Sequence, residues 1–148
     1  MSDKGLRGTS LVFLLAVLVH GTDHTRRGIG SVSTTVLTAG TIQTVFAVAA
    51  CFMVFRRHPA AAAFAVGVGF ISAVGFAAAH LMPHWSALSD PFVGSHVGAK
   101  VNAFSWFTAL FEIAADLAFG AAGVAAVRTR DSARPPSLRL RETTAQRA

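Results

Sequence analysis

Cysteine is almost missing from this sequence. The single one, Cys51, cannot form an intrachain disulfide, and its place in an apolar stretch reads as core packing. Charge is scarce as well. Only 14% of the 148 residues are charged while 53% are hydrophobic, which moves the class from a soluble globule to a one-domain membrane protein. Familiar catalytic motifs are absent: there is no GxSxG nucleophile elbow, no phosphate-binding glycine loop and no Cys/His pair placed for nucleophilic catalysis. The net charge of +6 does not indicate nucleic acid. Its arginines flank apolar runs, and the tail RTRDSARPPSLRLRETTAQRA lacks interleaved aromatics, so anionic lipid headgroups are the expected partner of that tail.

What the chain has instead is long apolar runs. Residues 31 to 55, 59 to 81 and 101 to 127 each hold at least the roughly 20 residues that cross about 30 Å of hydrocarbon at about 1.5 Å per residue. A shorter run, LVFLLAVLV at 11 to 19, has the length of a signal-peptide core and follows a basic start, MSDKGLRG. The next residues, HGTDH, offer no small-x-small cleavage site, so a retained helix over about 9 to 27 is the better reading. The expectation is an all-α, polytopic membrane protein: a four-transmembrane-helix bundle over 1 to 127 and a basic, disordered tail over 128 to 148. Lys4, Arg7, Arg56, Arg57 and six arginines after Val127 fall on one side, against Arg26, Arg27 and Lys100 on the other. That bias places both termini in the cytoplasm of a cell-membrane protein and five of the six histidines at the outer face.

Within the spans, Thr34, Thr38 and Thr41 recur at helical spacing and form one stripe, which suits either close helix packing or the polar wall of a cavity. Gly67, Gly69 and Gly75 thin the third span, as expected of the packed centre of a bundle. Pro83 ends that span, and the long connection from 82 to 100 is a candidate lid, with Trp85 suited to the membrane interface.

Two clusters could carry chemistry. On a helix, His20, Asp23, His24 and Arg27 lie within about 80° of one another, so the potential ligands of HGTDH share a face. HLMPHW adds His80 and His84 at the same depth, giving enough N and O donors for a divalent transition metal such as zinc. Asp23 would be a ligand or would orient an imidazole; Asp90 and His96 have weaker claims. The fourth span places Asn102, Ser105, Thr108, Glu112 and Asp116 within about 120°. Its two carboxyls face into the bundle, where each charged group costs at least about 2.5 kcal/mol, so Glu112 is a functional candidate by default. The structural alternative is a hydrogen bond from Gln43, at similar depth, to Glu112, with Asp116 neutral or reaching Arg128 and Arg130 through water.

The leading expectation is a small membrane protein with an outward-facing His/Asp pocket for a metal ion. Glu112 could serve as general base only if the site lies deeper than the interface, so the sequence leaves catalysis open. The alternatives are a non-catalytic accessory subunit, packed on a membrane protein partner or on copies of itself, and haem held between two histidines.

Overall fold

The computed structural model describes residues 3–133, and every regular element among them is helical. Four helices, α1 (Asp3–Arg27), α2 (Thr34–Phe55), α3 (Ala61–His80) and α4 (Ala103–Ala133), are each long and apolar enough to span a membrane. Short 3-10 turns at Ile29–Ser31 and Val97–Ala99 interrupt the connections at one end. Helix α1 starts at Asp3 and not near Thr9, because Leu6 is drawn into the core and extends the helix by more than a turn. Helix α4 runs beyond residue 128 to Ala133; the rest of the expected tail, 134 to 148, lies outside the described residues.

The helix ends follow from local chemistry. Gly28, with φ +93°, takes the left-handed position that stops α1, and its N–H returns to the His24 carbonyl at 3.1 Å. Ser33 caps α2 by accepting from the Val36 N–H, and the Asn102 side chain accepts from the N–H groups of Phe104 and Ser105 to start α4. Helix α2 closes with paired returns, Arg57 N–H to the Val54 carbonyl and His58 N–H to the Met53 carbonyl. The residue in the left-handed position there is Arg57, φ +55°, where glycine is the usual choice.

Helix α4 is the centre of the bundle, packed against α3 and α1, while α2 lies across α1 and α3. The α3–α4 contact is backbone on backbone. A methyl group at Gly69 would sit 2.6 Å from the Gly120 nitrogen, and one at Gly123 would sit 2.7 Å from the Ala62 oxygen. Small residues permit this approach, and dispersion between closely spaced backbones holds it. Gly67 and Gly75 have open space instead, so only one of the three glycines named from the sequence thins the interface. Between α1 and α4, Phe13 stacks on Phe119 with ring centroids 4.9 Å apart, and both side chains are fully buried. The threonine stripe of α2 faces outward: Thr34, Thr38 and Thr41 are exposed, and the hydroxyls of Thr38 and Thr41 donate to carbonyls one turn earlier in the same helix.

Candidate metal centre

One face of α1, the end of α3 and one face of α4 meet in a column of buried polar side chains. From α1 come His20, Asp23 and Arg27, from α3 comes His80, and from α4 come Ser105, Thr108, Glu112 and Asp116; all are buried. The antiparallel course of α1 and α4 sets the pairing, Asp23 with Ser105 at the top and His20 with Glu112 below.

His20, His24 and His80 converge. One ring nitrogen from each lies within 4.8 Å of the others, and the Nε2 atoms of His20 and His24 are 3.0 Å apart. Two ligands of a tetrahedral ion with bonds of about 2.0 to 2.1 Å stand about 3.4 Å apart, so shifts of about an ångström would close the set on an ion. The tautomer of His80 suits ligation. His80 Nδ1 lies 3.0 Å from the Asp90 carbonyl oxygen, which can only accept, so Nδ1 carries the proton and Nε2 keeps its lone pair. His20 Nδ1, without a hydrogen bond, faces Glu112 Oε2 at 3.7 Å. A carboxylate behind an imidazole and a carbonyl behind another are the supports that orient metal-bound histidines.

Arg27 closes the centre from above. Its guanidinium, 1% exposed, makes a two-pronged contact with Asp90, Nη1 to Oδ2 at 2.6 Å and Nη2 to Oδ1 at 2.7 Å, and its Nε donates to the Ala99 carbonyl at 2.9 Å. The Asp90 N–H donates to the Ala79 carbonyl and that of Phe92 to the His80 carbonyl, which fastens this stretch of the long connection to the last turn of α3. The Phe92 ring lies 4.6 Å from the His80 ring and 5.4 Å from the Arg27 guanidinium carbon.

The sequence candidates therefore separate. His20, His24 and His80 come together, whereas His84 is exposed beyond Pro83, where the chain has left the helix axis. Asp23 is engaged elsewhere: it accepts from Arg26 at 2.8 Å and from the Ser105 hydroxyl at 3.1 Å. Asp90 serves Arg27 and His96 is exposed. The Gln43 amide donates to the Ser72 hydroxyl at 3.3 Å and not to Glu112. Neither carboxyl of Glu112 or Asp116 has a hydrogen-bond partner among the described residues, and Arg130 points to the Pro59 carbonyl. Counting from the end of its own helix puts Glu112 below the interface; His20 is itself nearly two turns inside α1, and the two residues are level, with His20 Nδ1 3.7 Å from Glu112 Oε2. The pocket expected to open outward is largely covered: His20 and His80 are 3% and 2% exposed, and only His24 is half-buried. Sequence reasoning missed the partnership of Arg27 with Asp90 and Phe92, residues more than 60 positions away. The available signal was Arg27 itself, on the same helix face as the histidines and with no acid assigned to it.

No protein-family model, curated protein or solved structure matches the chain.

Proposed function

We propose that this chain is a multi-pass cell-membrane protein, with both termini cytoplasmic, that holds a divalent transition ion such as zinc on His20, His24 and His80. The observation that carries the proposal is the convergence of three imidazoles from two helices within 4.8 Å. The Asp90 carbonyl behind His80 and the Glu112 carboxyl behind His20 support it further. Glu112 stands on the far nitrogen of His20, so its role is to orient that ring and offset the charge of the ion. Three histidines leave the fourth position of a tetrahedral ion to water, and the burial of His20 and His80 limits access to it. Haem fits less well: the His20 and His80 rings are already in contact, with centroids 4.9 Å apart, and leave no slot for a macrocycle.

Elemental analysis of the detergent-purified full chain, beside its absorption spectrum, tests the proposal. One equivalent of a transition metal is expected in the wild type and much less than one in His24→Ala/His80→Ala. Absence of metal after purification without chelators and after incubation with zinc overturns it, and a Soret band replaces it with the haem alternative.

A further inference from the structure

We propose that the opposite end of the bundle carries an anion site, formed by Arg7, Arg57 and Arg130, that takes the phosphate group of an anionic phospholipid. Three separate parts of the chain supply these arginines: α1, the α2–α3 turn and the end of α4. They line one recess together with Leu6, Val54 and Ala61. None of the four described carboxylates, Asp23, Asp90, Glu112 and Asp116, pairs with any of the three. Three like charges around one recess repel one another, and an anion seated among them reverses that repulsion.

The hydrogen bonds point the same way. Arg7 Nε is buried without a partner, and Arg7 Nη2 reaches the Phe55 carbonyl only at 3.5 Å. Arg130 Nη1 donates to the Pro59 carbonyl at 2.6 Å, which anchors that side chain while leaving the rest of its fork available. Arg57 occupies the left-handed position at the end of α2 that glycine would fill with less strain, so the turn carries a guanidinium at a conformational cost. The surroundings select a lipid as the source of the phosphate. The recess has apolar walls at the ends of helices long enough to span a membrane, and the rings of Phe52 and Phe55 are exposed on α2 nearby. A headgroup phosphate at the mouth of the recess would leave its acyl chains along that apolar surface. The site is independent of the histidine cluster and of any ion held there.

Thermal unfolding of the full chain in neutral detergent tests the inference, with short-chain phosphatidylglycerol, phosphatidylcholine or inorganic phosphate added. Phosphatidylglycerol at about a hundred times its dissociation constant should raise the midpoint by about 5 °C or more, with little effect from phosphatidylcholine. Arg7→Gln/Arg130→Gln and, separately, Arg57→Gln should lose most of that rise, while the tail variant Arg139→Gln/Arg141→Gln keeps it. Inorganic phosphate giving the full arginine-dependent rise would uphold the phosphate site but overturn the lipid as its source. Equal responses to the two lipids, or equal losses in the tail and recess variants, would overturn the inference.

Discussion

Replacing Asp90 with alanine should destabilise the protein more than any single histidine substitution. Asp90→Ala removes both prongs of the contact with Arg27 and leaves a guanidinium that is 1% exposed. Its remaining polar neighbours are the Ala99 carbonyl at 2.9 Å and Asp23 Oδ2 at 3.9 Å. Deleting one partner of a buried ion pair costs about 3 to 5 kcal/mol, because the other charge stays out of water. Residual attraction from Asp23, already shared with Arg26, places this site near the lower bound, about 3 kcal/mol. For a chain of this length that is a fall in Tm of about 6 to 12 °C. The assay is thermal unfolding in one detergent, with Arg27→Met/Asp90→Ala as the companion variant. If the cost comes from a stranded charge, the double variant should recover part of the loss, since methionine fills the space without a charge. A Tm for Asp90→Ala within a degree or so of the wild type, or a double variant no more stable than the single, would refute the reasoning.

Glu112→Gln should weaken zinc binding about tenfold while preserving the fold, as loss of a carboxylate behind a metal-bound imidazole generally does; unchanged affinity by isothermal titration would detach Glu112 from the site. Gly69→Ala should cost about 1 to 3 kcal/mol of stability, because its methyl group meets the α4 backbone, whereas Gly67→Ala should be nearly neutral; equal melting of the two would contradict the close α3–α4 contact. Reporter fusions at Gly94 and Ala148 should lie on opposite sides of the membrane, with Ala148 cytoplasmic, and an outer C-terminus would invert the placement of the histidines.

The four helices were legible because length and apolar content are properties of a segment by itself. Which face each helix turns to its neighbour was less so. Of Gly67, Gly69 and Gly75, spacing could not single out Gly69, since its role depends on the register of α4. The threonines of α2 could face outward because the backbone of their own helix satisfies the hydroxyls, so a polar stripe need not border a cavity. His84 resembled His80 in the sequence, yet Pro83 between them redirects the chain and leaves His84 exposed. The convergence of His20, His24 and His80 was readable from helix periodicity and a common depth. Asp90 was not, because a connection with no repeat gives no direction to its side chains.

The Phe13–Phe119 stack gives the polar column a floor. Along α4 the buried polar face passes from Ser105 through Thr108 and Glu112 to Asp116, and the next buried large side chain below is Phe119, with the Phe13 ring against it. A hydrated cation cannot cross two stacked, fully buried phenyl rings without stripping its water against hydrocarbon. An ion lodged among the histidines would therefore not leave toward that floor, and any exchange would run through the end where Arg27 grips Asp90 and His24 is half-exposed. The stack thus divides the bundle into a polar half that holds the histidines and an apolar half that carries no buried acid, base or histidine among the described residues.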